Sequence, residues 1–146
     1  MPEVRVEIYE IGRTDGGALI LLQGKEEMTE KMIPIQCNFM QGRSIKSGLS
    51  GVTSSRPHTH DLFTDLLNEY GCALDRIVVD EIEEAVYSSK VYISKYDNGE
   101  KRDIVLEARP SDAIAVAARL RAPIFVDRDL MEDKGVSPSE FEIRES

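Results

Sequence analysis

Six successive residues, Ala113-Ile114-Ala115-Val116-Ala117-Ala118, carry no polar side chain. Preceded by Arg109-Pro110-Ser111-Asp112 and stopped by Ala122-Pro123, they read as a helix running to about Arg121. Ser111 is its expected N-cap, and Asp112 falls in the first turn, where an acid meets the helix dipole favourably. A helix that is apolar all round must be covered on more than one side. In a chain of 146 residues, the size of one ordinary domain, the second cover is expected from another copy, and a homo-oligomer is predicted.

The rest of the chain alternates between strands and turns. Val4, Val6 and Ile8 share one side of a first strand. Asp15-Gly16-Gly17 supplies a hairpin turn in which glycine accepts positive φ, and the apolar run Ala18–Leu22 is the buried return strand. Met32-Ile33-Pro34-Ile35 reads as a third strand, with Pro34 placing it at an edge or a bulge. Phe39, Met40, Ile45 and Leu49 suit one helical face, although Gly42 and Gly48 weaken that helix. Residues 49–55 read as a loop. Leu62, Phe63, Leu66, Leu67 and Tyr70 form the apolar stripe of a second helix, closed by Gly71.

The plan then recurs, with strands around Ile77-Val78-Val79, from Val86 to Ile93 and at Ile104-Val105-Leu106, and a strong hairpin turn at Asp97-Asn98-Gly99. An Arg-Pro pair precedes a helix in each half, at Arg56-Pro57 and Arg109-Pro110. The expected fold is α+β: two layers, a largely antiparallel mixed sheet with helices on one face, and internal duplication of a β-β-β-α unit. Residues 1–130 are read as a single domain and 131–146 as a polar C-terminal tail.

Composition narrows the setting. No apolar run approaches the ~20 residues that span a bilayer, so no membrane partner is expected. No basic or apolar leader opens the chain, and Cys37 and Cys72 match neither a CxxC nor a zinc pattern, which suits a reduced, cytoplasmic setting. Net charge is −9, which opposes bulk binding of polyanions. Residues 31–60 depart from that average: they hold no Asp or Glu and carry +4 from Lys31, Arg43, Lys46 and Arg56, against −13 for the rest. A polyanion that binds anywhere is expected there; a chance cluster on a solvated face is the plain alternative.

No GxSxG, P-loop, GxGxxG or HExxH signature is present. What remains is His60, Asp61 and Asp112, with Arg56 and Arg109 beside them. Histidine can move a proton, two carboxylates brought together can hold Mg²⁺ or Mn²⁺, and arginine can neutralise a phosphoryl oxygen. These are the residue types that phosphodiester cleavage needs, provided that the two Arg-Pro turns face each other. Each also has a structural reading, as a first-turn acid, a surface ion pair or a helix cap.

Arg56-Pro57-His58-Thr59-His60-Asp61-Leu62, followed by Arg109-Pro110-Ser111-Asp112-Ala113-Ile114-Ala115 and Ala122-Pro123-Ile124-Phe125-Val126, resembles the bifunctional nuclease domain family over nearly the whole chain. The resemblance implies an α+β fold with internal duplication and nuclease activity toward RNA and DNA. It implies His60, Asp61 and Asp112 as catalytic residues, and Arg56 and Arg109 as anion-binding ones, with His58 at a variable place in the motif. Gln41 stands where the family pattern usually has a glutamate, which would weaken catalysis if that carboxylate served as ligand or base.

Three functions follow as expectations. The first is a nuclease hydrolysing RNA or DNA at His60, Asp61 and Asp112; its metal is left open, with Mg²⁺ and Mn²⁺ as the candidates. The second is a non-catalytic anion- or nucleic-acid-binding regulatory module of the same fold, gripping its ligand through Arg56, Arg109, Arg43 and Lys46, with Gln41 beside them. The third is a purely structural oligomer.

Overall fold

The computed structural model of the chain describes residues 2–51 and 58–140. Strands β1 (Glu3–Thr14), β2 (Gly17–Gly24) and β3 (Met32–Cys37) form one antiparallel meander; β4 (Cys72–Glu83), β5 (Val86–Asp97) and β6 (Glu100–Ala108) form a second. The short strand β7 (Ile124–Asp127) lies between them, antiparallel to β1 and parallel to β4. The order β3-β2-β1-β7-β4-β5-β6 thus places the two meanders on either side of a central strand. Each meander is followed by a helix, α1 (Phe39–Ser50) after the first and α3 (Pro110–Leu120) after the second, which realises the duplicated β-β-β-α unit. Helix α2 (Thr59–Glu69) joins α1 and α3 over the sheet, and α4 (Arg128–Lys134) follows β7. Pro34 lies on β3, an edge strand, where a missing N–H costs no ladder bond.

The two hairpin turns work differently. At Asn98 and Gly99 φ is +53° and +82°, the left-handed pair of a type I′ turn. Gly16 and Gly17 do not adopt positive φ, contrary to the expectation from their sequence. Gly17 is needed instead for close approach, because a Cβ there would lie 2.3 Å from the carbonyl oxygen of Cys37.

Helix α1 overcomes its two glycines by good termini and tight packing. Asn38 and Gln41 exchange side-chain-to-backbone hydrogen bonds of 2.8 and 2.9 Å, and Gly51 closes the helix at φ +69°. Its buried face is Gly42, Ser44 and Ile45, whereas Phe39, Met40 and Leu49 are exposed, which corrects the stripe read from the sequence. The reason is clearance. A Cβ on Gly42 would stand 2.8 Å from that of Ala18, and one on Gly48 would stand 3.0 Å from Nη1 of Arg119. In α2 only Thr64 and Leu67 are buried, with Phe63 packed partly against the core, while Leu62, Leu66 and Tyr70 remain exposed.

Helix α3 is capped two residues earlier than expected. Arg109 is the N-cap, Pro110 opens the helix, and Ser111 lies inside it, buried. Residues Ala113 to Ala117 are all buried within the single chain, by α1 and α2 on one side and the sheet on the other. The second cover that the sequence assigned to another copy is therefore supplied internally. Packing continues beyond residue 130: Met131 is fully buried and Val136 bridges to Met32. No helix among the described residues is long and apolar enough to cross a membrane.

Candidate functional site

A single chain of hydrogen bonds links α1, α2 and α3. It begins at Arg119, whose side chain is 8% exposed. Its Nη2 donates to Ser44 Oγ (2.9 Å), its Nη1 to the carbonyls of Ser44 and Ala115 (3.0 and 2.9 Å), and its Nε to Asp61 Oδ1 (2.6 Å). Ser44 Oγ stands 2.6 Å from Nδ1 of His60, and Nε2 of His60 stands 2.9 Å from Oδ1 of Asp112. Asp112 Oδ2 accepts from Nε of Arg109 at 2.8 Å.

The partners decide the tautomer. The Asp112 carboxylate only accepts, so Nε2 of His60 carries the hydrogen that faces it, and the Ser44 hydroxyl, which accepts a hydrogen bond from Nη2 of Arg119, is placed to donate to Nδ1 of the neutral ring. Burial alone would raise the Asp112 carboxyl, but hydrogen bonds from Arg109 and His60 outweigh it and hold the group below the usual carboxylate range. Asp112 in turn raises the Arg109 guanidinium. Asp61 is lowered chiefly by its hydrogen bond from Arg119, with a further one from the His58 backbone N–H.

His60, Asp112 and Arg109 line a cavity of about 560 Å³ together with Ser44, Gln41, His58 and apolar residues including Phe63 and Val116. Arg109 is 70% exposed and Asp112 32%, so both meet solvent, whereas His60 is only 13% exposed. The two halves of the chain thus bring three of the five expected residues together. Asp61 does not line the cavity; it ties the start of α2 to Arg119. Arg56 lies outside the described residues. Arg43 and Lys46 lie on another face of α1, in a separate hollow.

Gln41 serves the capping box, its side-chain oxygen accepting the N–H of Asn38, but glutamate would make that bond equally well, so nothing in the structure explains glutamine here. As for a metal, among the described residues no three His, Cys, Asp or Glu side chains converge to hold one. Asp61 turns to Arg119 and does not line the cavity, and Asp112 already has the Arg109 guanidinium against it, so the two carboxylates do not both face the site. This donor set does not fit a hard divalent cation, which needs several oxygen ligands.

Sequence reasoning missed Ser44 and Arg119 as members of this network. Arg119 carried a usable signal: seven residues after Asp112, two helical turns, it shares the face of an otherwise apolar helix. Ser44 carried none, being one of several small residues in a helix of mixed pattern.

Comparison with known proteins matches residues 20–139 to the Bifunctional nuclease domain. An uncharacterized protein of Mycobacterium tuberculosis is 28% identical over 93% of this chain and 77% of its own length. Bifunctional nuclease 1 of Oryza sativa subsp. indica is 27% identical and bifunctional nuclease 2 of Arabidopsis thaliana 29%, each over 76% of this chain. The match spans 33% of each of those two plant proteins.

Proposed function

Because the chain belongs to the bifunctional nuclease domain family, we propose that it hydrolyses phosphodiester bonds of RNA or DNA in the cavity between α1, α2 and α3. The observation that carries this reading is the Arg119–Ser44–His60–Asp112–Arg109 chain, which ends in an exposed cation at the cavity mouth. Arg109 is permanently charged and leaves Asp112 for the phosphoryl oxygens when substrate binds. That exchange removes a cation that depresses the Asp112 carboxyl, so the carboxylate becomes more basic when a base is needed. A water held there attacks phosphorus and passes its proton to the His60–Asp112 pair, while the P–O bond to the leaving oxygen breaks and that oxygen takes a proton from solvent. Asp61 and Arg119 act as positioning residues, by fixing Ser44 and through it the ring of His60.

A second reading, a non-catalytic module that binds nucleic acid or another anion, draws on one observation. Both ring nitrogens of His60 are engaged, which suits a structural support for Arg109 as well as a proton carrier. Two free cysteines, Cys37 and Cys72, suit a cytoplasmic setting under either reading. A homo-oligomer now draws support from β6, an edge strand exposing Ile104, Val105 and Leu106, rather than from α3.

The deciding experiment is cleavage of single-stranded RNA and DNA by the wild type beside Asp112→Asn, with and without added Mg²⁺ or Mn²⁺. Turnover lost in a folded Asp112→Asn protein supports the nuclease; binding without turnover in the wild type supports the second reading.

A further inference from the structure

On the face of α1 turned away from the catalytic cavity, residues Phe39, Gly42, Arg43 and Lys46 follow the i, i+3, i+4, i+7 spacing of one helical stripe. With Ile11, Gly12, Arg13 and Ala18 they line a hollow of about 420 Å³ that contains three cations and no carboxylate. Arg13 and Arg43 both lie over the Phe39 ring, at 4.7 and 5.9 Å from its centroid. Cation–π contact uses the flat face of a guanidinium and leaves its N–H edge free for an anion. Among the described residues, Arg13, Arg43 and Lys46 form no ion pair; Asp15, the neighbouring acid, lines an adjoining depression that Arg13 and Phe39 also border, without pairing to Arg13. In a protein of net charge −9, two arginines over one ring and Lys46 beside them, none in an ion pair, make a local reversal of field.

We propose that this hollow is a second binding site, which grips the phosphate backbone of single-stranded nucleic acid some distance along the strand from the bond to be cut. Met40, Gln41 and Ser44 of the same helix line the catalytic cavity, so the two sites flank α1. Their separation is therefore on the order of one helix diameter, ~10–12 Å, which a short oligonucleotide bridges and an isolated phosphate does not. Phe39 is the positioning residue of the site, and the three cations are its contacts. The inference rests on the nucleic-acid reading of the cavity and adds where the flanking strand is held.

The test is binding of a fluorescent oligothymidylate of about 12 nucleotides by anisotropy across a salt series, with EDTA present. Arg13→Gln/Arg43→Gln/Lys46→Gln is expected to weaken binding about tenfold or more at low salt. Its slope of log K against log salt should be shallower by about 2, since each phosphate contact on a single strand contributes ~0.7. The charge-retaining Arg13→Lys/Arg43→Lys/Lys46→Arg keeps the slope, which separates loss of charge from loss of fold. An unchanged slope in the glutamine variant, or no oligonucleotide binding by the wild type, overturns the inference. Wild-type binding through this hollow without cleavage overturns the nuclease reading alone; cleavage with an unchanged slope overturns this site alone.

Discussion

Nε2 of His60 and Oδ1 of Asp112 meet at 2.9 Å although the two residues are 52 apart in the chain. Each sits in the first turn of its helix, α3 closing the second β-β-β-α unit and α2 lying between the two units. Their contact lies in the cavity that α2 and α3 line together with α1.

Asp112→Asn keeps the size of the side chain and removes its charge, so the imidazole proton loses its anionic acceptor and Arg109 its counter-ion. Cleavage is expected to fall by about 10²-fold or more, with stability changed by no more than about 1–2 kcal/mol because the site is partly solvated. Single-turnover kinetics beside thermal unfolding checks both; equal losses of stability and activity would contradict a role in the reaction.

Arg119→Leu removes four donated hydrogen bonds from the interior at once. Loss of stability by about 3 kcal/mol or more in urea is expected, since Asp61 and the Ser44 carbonyl are left unsatisfied. Arg119→Lys should recover only part of it, because one ammonium cannot reach Asp61, Ser44 and Ala115 with the geometry of a fork.

The acid limb of stability has a definite sign. Asp61 and Asp112 both have carboxyls lowered in the folded state. Their contribution is fully present above the unfolded value of ~3.9 and is lost as pH falls below it through the folded values. Melting temperature should therefore drop from about pH 4 downward, less steeply in Asp61→Asn, whose stability at neutral pH is already lower. Parallel curves for the two proteins would refute the assignment.

Gly42→Ala sets propensity against packing. Alanine favours the helix by ~1 kcal/mol, but its Cβ would stand 2.8 Å from that of Ala18, which is fixed to strand β2. Packing is expected to win, with a net destabilisation of about 1–2 kcal/mol in denaturant unfolding.

The exposed β6 edge predicts self-association that Val105→Lys disrupts, read by light scattering after size exclusion. A wild-type protein that elutes as a monomer at every concentration would remove the oligomer from the account.

Much of this fold was legible because its signals are local. The Asn98-Gly99 turn, the Arg109-Pro110 helix start, the Gly71 stop and the edge position of Pro34 each depend on a residue's own backbone preferences. His60, Asp112 and Arg109 were legible through residue type and through position at helix starts. What the chain alone determined is therefore the set of elements, their duplication and the chemistry available at two helix ends. Tertiary structure decided which of those groups meet. Asp61 turns to Arg119 because α3 passes over the start of α2, and Ser44 enters the network because Gly48 lets α1 close on the same arginine. It also decided that the all-apolar α3 is covered from within, by helices whose own apolar stripes remain partly in water. Those outcomes depend on clearances between backbones far apart in sequence, which no local pattern of hydrophobicity or spacing encodes.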